Sequence, residues 1–261
     1  MRKAILSLLG FAGCIAQAWA VGFVLTPPRF EVTLASGATQ TYNISVLNVD
    51  STKPVKLRAY LMDWTLKPSG QLAVSKPGTV AYSNAAWIDV NPAEFEVPPR
   101  AEQVVRFTVR VPDSSFGSRW SILYFESQPD TTQKAMIGMS FKARVGSPIY
   151  VIVPGTEVKQ AELVSFAYRR RDGRAHEFAL RIANTGNVHL RPKGTLAVKN
   201  ASGATVATAS LSDEVVLPQS QRDLSLPLAQ PLAPGRYAAV ISLDCDIPEL
   251  IQGETAFEVA K

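Results

Sequence analysis

Apolar and polar side chains alternate with a period of two along most of this chain, a spacing that suits strands and defeats helices. Val55, Leu57, Ala59 and Leu61 alternate with Lys56, Arg58 and Tyr60. Val105, Phe107, Val109 and Val111 alternate with Arg106, Thr108 and Arg110. Later, Phe178, Leu180 and Ile182 form one row and Leu224, Leu226 and Leu228 another. Past residue 21 no stretch keeps a helical period, and the 18 prolines would break most candidates. Turn residues sit between the runs, at Pro68-Ser69-Gly70, Asp172-Gly173, Ser202-Gly203 and Pro234-Gly235. The expected fold class is all-β.

Residues 1–20 read as a signal peptide. Arg2 and Lys3 supply the positive start, Ala4 to Ala16 the apolar middle, and Ala18-Trp19-Ala20 the small-residue cleavage site. The apolar run is interrupted by Gly10, Gly13 and Gln17 and is too short to span a bilayer. No later segment qualifies as an integral membrane span. The mature chain is expected to begin near Val21 and to be soluble outside the cytoplasm. A rival reading takes Phe11-Ala12-Gly13-Cys14 as a lipoprotein box with anchoring at Cys14; Phe11 and the apolar residues after Cys14 argue against it. Without the signal, Cys245 is the one cysteine, so no intrachain disulfide can form and the fold must rest on its core. The net charge is +5, or +3 once Arg2 and Lys3 leave with the signal, and it is spread out; no nucleic acid partner is implied.

A weak internal repeat points to two similar units. Val97-Pro98-Pro99-Arg100 leads into a strand and Gly117-Ser118-Arg119-Trp120 opens the next; Leu217-Pro218-Gln219-Ser220 and Gly235-Arg236-Tyr237 do the same later. Val46-Leu47-Asn48 and Ile182-Ala183-Asn184 each close a strand before a turn. The reading is two immunoglobulin-like β-sandwich domains after the cleaved signal, spanning residues 21–154 and 155–261, with Pro154-Gly155 as the hinge.

The strand that closes the first domain is unusually regular. Ala135, Ile137, Met139, Phe141, Ala143 and Val145 occupy one face; Gly138, Ser140, Lys142, Arg144 and Gly146 occupy the other. Such a strand can complete its own sandwich, or it can be lent to another protein whose sheet lacks one.

Three segments resemble the periplasmic pilus-assembly chaperones of the PapD-like superfamily. Pro27-Pro28-Arg29-Phe30 and the strand running to Asn48 resemble the opening strands with their early arginine. Arg119-Trp120-Ser121-Ile122-Leu123-Tyr124-Phe125 resembles the signature strand, although the acidic residue before its serine is absent. Residues 135–153 resemble the donor strand and linker, with Gly146-Ser147-Pro148 as extra residues. The overlap runs along most of the first domain and is looser in the second.

The resemblance implies a chaperone that caps pilus or fimbrial subunits by donor-strand complementation. It implies pilin-like fibre subunits and an outer-membrane usher as partners, and two cleft cations that hold the subunit's C-terminal carboxylate. Arg29 is the candidate for the first cation, and Arg144, with Lys142 as fallback, for the second. Charge-assisted hydrogen bonds to a carboxylate are worth roughly 1.5–3 kcal/mol each. Ala135, Ile137, Met139 and Phe141 would be the donor residues, and a slip of one residue would turn them away from the partner's groove. Exposed side chains at 137, 139 and 141 would also favour a self-capping dimer when no client is present.

The alternative is a self-contained structural or adhesive two-domain surface protein, lipid-anchored in one variant. There Arg29 only blunts an edge strand, and Lys142 and Arg144 face solvent. The remaining features are plainer. Arg169-Arg170-Arg171-Asp172-Gly173-Arg174 is a solvated basic hairpin tip, and the tryptophans show no clustered pair. His176 and His189 have no metal-ligand spacing and no nucleophile motif beside them, and no phosphate loop occurs. Neither an enzyme nor a cofactor is expected.

Overall fold

The computed structural model describes residues 22–128, 142–171 and 175–260. In the first sandwich the strands are β1 (Phe23–Thr26), β2 (Phe30–Thr33), β3 (Thr39–Asn48), β4 (Val55–Leu66) and β5 (Leu72–Ser75). They are followed by β6 (Ile88–Asn91), β7 (Glu94–Val97), β8 (Glu102–Arg110), β9 (Ser118–Ser127) and β10 (Arg144–Ile152). One sheet has the order β1-β3-β8-β6; the facing sheet runs β2-β10-β9-β4-β5, with β7 also paired to β4. The alternating rows of β4 and β8 point between these sheets. Leu57, Ala59, Val105, Phe107 and Val109 meet Leu123, Phe125, Ile149 and Val151 in one buried cluster.

Pro27 and Pro28 divide β1 from β2. Proline cannot donate to a ladder, so the chain leaves the first sheet there and enters the second. β2 then pairs parallel to β10, with Phe30 opposite Ile149 and Thr33 opposite Ile152.

The second sandwich consists of β11 (Ala161–Arg171), β12 (Ala175–Asn184), β13 (Lys193–Asn200), β14 (Thr205–Leu211), β15 (Ser220–Pro227), β16 (Gly235–Asp244) and β17 (Ile251–Val259). Its sheets have the orders β11-β12-β15 and β14-β13-β16-β17. Phe178, Leu180, Ile182, Leu224 and Leu226 are buried between them with Leu196, Val198, Ile241 and Leu243. Cys245 is fully buried here, and burial and the neighbouring Asp244 push its thiol up to about 11.

The repeat seen in the sequence has a physical counterpart. Asn48 and Asn184 are both buried at strand ends. Asn48 Nδ2 donates to the Val97 and Pro98 carbonyls at 3.0 and 3.1 Å, and its Oδ1 accepts from Asp50 N. Asn184 Nδ2 donates to the Val188 and Val216 carbonyls at 2.8 and 3.0 Å, and its Oδ1 accepts from Gly186 N. Beyond each clamped segment a residue turns left-handed, Arg100 at φ 55° and Gln219 at φ 53°.

A third apolar cluster joins the two sandwiches. β9 is buried on both faces, because Trp120, Ile122 and Tyr124 on its outer side pack with Trp64, Tyr150 and Leu217, the last from the second sandwich. Trp64 and Trp120 therefore do meet, with ring centroids 6.4 Å apart, because β4 and β9 are neighbours. The β4–β5 hairpin reaches the same partner: the Pro68 carbonyl accepts from Asp223 N at 2.7 Å. Gly117, at φ +66°, allows a second close approach, since a Cβ there would sit 2.5 Å from the Asn187 carbonyl oxygen.

Candidate functional site

Between the sandwiches lies a cleft of about 530 Å³ whose walls are mostly charged. Arg29 and Glu31 come from the start of β2; His189 and Arg191 come from the segment between β12 and β13. Asp213 comes from the loop after β14. Leu190 and Val216 exchange backbone hydrogen bonds of 3.0 and 2.9 Å, which carries Arg191 alongside the Asp213 loop. On the other side, His189 N donates to Ser118 Oγ at 2.9 Å, tying that segment to β9.

Tyr150 forms the floor. The His189 ring stacks on it at 4.3 Å, and the Arg191 guanidinium lies 5.3 Å from its centroid. Burial pushes the Tyr150 phenol up to about 12 and the His189 imidazole below its ordinary value. His189 Nε2 lies 3.9 Å from Glu31 Oε2, and its Nδ1 is buried without a partner among the described residues.

Two carboxylates and two guanidiniums then interlock. Arg191 Nε donates to Glu31 Oε1, and Arg29 Nε lies 3.3 Å from the same oxygen. His189, and after it Arg191, hold the Glu31 carboxyl down at about 2 against the opposing effect of burial. Arg29 Nη1 reaches Asp213 Oδ1 at 2.7 Å, and Arg191 Nη1 lies 3.7 Å from that oxygen. Arg191 also donates to the Asp213 carbonyl at 3.2 Å. Each guanidinium thus meets both carboxylates, and the four side chains form one closed ion-pair network.

Of the cations expected from the sequence, only Arg29 lies in this cleft. Arg144 opens β10 opposite Glu126, with its guanidinium 4.6 Å from the Tyr124 ring centroid, and the Tyr60 hydroxyl bonded to it raises its pKa. Lys142 is beside it, 3.6 Å from Glu126 Oε1. Arg144 precedes Ile149, the partner of Phe30, by five residues, or roughly 17 Å of strand. The structure thus separates Arg29 from Arg144 and Lys142 and places Arg191 beside Arg29 instead. Ala135, Ile137, Met139 and Phe141 lie outside the described residues. Glu31, His189, Arg191 and Asp213 carry no short motif; Glu31 and Arg191 stand 160 positions apart and only the fold unites them.

β10 supplies the second element of the site. β2 pairs with it only from Ile149 to Ile152, so among the described residues Arg144 to Pro148 have no strand on that side. Pro148, which has no N–H, lies within this edge. Gly146 lets the strand run close over β9, since a Cβ there would sit 2.5 Å from Ile122 Cδ1. Gly146-Ser147-Pro148 therefore does not interrupt the strand. Ser147 within this stretch is fully buried, its Oγ donating to the Pro27 carbonyl at 3.4 Å, and Arg29 follows Pro27 by two residues.

No family model matches the chain, and no curated protein matches it. Among solved structures, a chain of the CsuC–CsuE chaperone–tip adhesion subunit pre-assembly complex of Acinetobacter baumannii is 14% identical, with 88% of this chain and 97% of that one covered at a TM-score of 0.47. The Pseudomonas aeruginosa CupB2 chaperone is 14% identical over 89% of this chain and 99% of its own, at a TM-score of 0.45. A chain of the Salmonella enterica SafA pilin complex with the SafB chaperone is 12% identical over 93% and 98%, at 0.43. The chain is thus similar to solved structures of pilus chaperones and their complexes, a remote likeness at low identity.

Proposed function

We propose that this protein is a periplasmic chaperone for subunits of a surface fibre, lending them the strand at residues 135–141 and seating their C-terminal carboxylate at Arg29. The carrying observation is the stretch of β10 from Arg144 to Gly146, which has no strand beside it on the β2 side, with Arg29 further along toward the cleft. A subunit strand laid along that edge would satisfy backbone groups on both chains, and its end would arrive in the cleft. Ala143 and Val145 face the first core, so the same side, continued back through Phe141, Met139 and Ile137, would extend that core into the subunit's groove. Each side chain so buried would contribute about 1.5–3 kcal/mol before ordering costs. An outer-membrane usher would receive the complex. Nothing in the exchange requires ATP.

The inward packing of Ala143 and Val145 also fits the second reading, in which the whole strand belongs to its own sandwich. Purification of the tagged protein from periplasm of cells expressing fibre genes separates the two. A small β-rich subunit that co-elutes with wild type and is lost with Arg29→Ala and Met139→Glu is expected. Absence of any such subunit, or its retention by both variants, refutes strand lending.

A further inference from the structure

We infer that two copies of this chain pair through β14, antiparallel about a two-fold axis, so that their β14-β13-β16-β17 sheets run on as one. A strand at the end of a sheet presents a row of backbone N–H and C=O groups that another strand can take up. Among the described residues, the other strands that end a sheet are short, charged or capped. β1, β2, β5, β6 and β7 are four residues each. Each also has a proline within two residues of one end: Pro27, Pro28, Pro77, Pro92 and Pro98 in turn. β11 carries Glu162, Arg169 and Arg170, and β17 carries Glu254 and Glu258. β15 carries Arg222 and Asp223, and the Asp223 N–H already donates to the Pro68 carbonyl. β14 has none of these guards. It pairs with β13 alone, and the whole run from Ala201 to Ser212 contains neither charge nor proline.

The strand is complementary to itself. A bulge at Val206 interrupts the ladder with β13, which leaves Ala207–Leu211 as the regular run. Antiparallel pairing of that run about Ala209 sets Ala207 against Leu211 of the second copy, and Thr208 against its Ser210. Ala207 and Leu211 are buried in the second core, so the inner row carries that core across the axis with a small side chain opposite a large one. Thr208 and Ser210 are exposed on the outer face, where their hydroxyls face each other. No like charges meet. A second copy is the occupant this neutral edge suits, because it brings the same charge-free strand and an isologous contact closes at two. The pairing is independent of strand lending, which uses residues 135–141 of the other sandwich.

The test is sedimentation velocity of the mature chain over a concentration series, with hydrogen–deuterium exchange followed at β14. Wild type is expected to pass from monomer to dimer, and the β14 amides to exchange more slowly as it does. The double variant Thr208→Lys, Ser210→Lys sets like charges opposite each other across the axis and should weaken the dimer on the order of tenfold. Thr208→Glu, Ser210→Glu should weaken it as much. An equimolar mixture of the two variants should recover the dimer, which a folding defect could not do. Met139→Glu should leave the dimer intact. A wild type that stays monomeric overturns the proposal. So does a dimer that survives the lysine variant, fails to return on mixing, or is lost with Met139→Glu. If the β14 amides slow only when a fibre subunit is added, the edge takes a partner's strand and self-pairing is likewise overturned.

Discussion

Protonation of Glu31 should loosen the cleft by an amount the structure sets. The native carboxyl titrates near 2, against 4.5 for the free group, because His189 and Arg191 favour its charged form. The native state therefore binds fewer protons than the unfolded chain between those values. The stabilisation is fully present above about pH 4.5 and is lost as pH falls through about 2. At about 1.36 kcal/mol per pH unit the upper bound is about 3.4 kcal/mol; a carboxyl one-third open to water is screened, which leaves roughly 1–2 kcal/mol. Other acids titrate over the same range, so the comparison is with Glu31→Gln, which keeps the shape and removes the proton. Urea unfolding followed by tryptophan emission from pH 2 to 7 measures the difference between the two proteins. Wild type should lose its 1–2 kcal/mol relative to the variant as pH falls from about 5 to 2. A difference that does not change with pH refutes the ion-pair assignment.

Other consequences concern the joints of the fold. Leu217→Ala should destabilise the protein by roughly 2–4 kcal/mol and red-shift tryptophan emission, because Leu217 is 3% exposed against Trp64 and Trp120; denaturation followed by fluorescence tests both effects. Asn184→Ala should cost about 1–3 kcal/mol in thermal or urea unfolding, since two carbonyls and the Gly186 N–H lose their buried partner.

The sandwiches were legible because alternation is local: the rows at 105–109, 178–182 and 224–226 are buried as their spacing requires. Asn48 and Asn184 were also visible as a pattern, though their role as clamps needed the fold. β9 hid its environment, because a strand covered on both faces shows no alternation, and what covers its outer side comes partly from residue 217. The cleft was half legible. Arg29 stands beside two prolines in a recognisable opening, whereas Arg191 and Asp213 are ordinary loop charges made neighbours by the Leu190–Val216 bridge. Lys142 and Arg144 misled as cleft cations because a shared face says nothing of distance along the strand, and their partner is Glu126 at the far end.

Strand lending makes one prediction that no self-contained sandwich shares. A photoreactive phenylalanine analogue would be placed in turn at positions 137, 138, 139, 140 and 141 in cells expressing fibre genes. Cross-linking to a single small β-rich subunit should alternate, strong at 137, 139 and 141 and weak at 138 and 140, as one face of a strand enters the partner's groove. No adduct at any position, or equal yields at odd and even positions, would contradict the account.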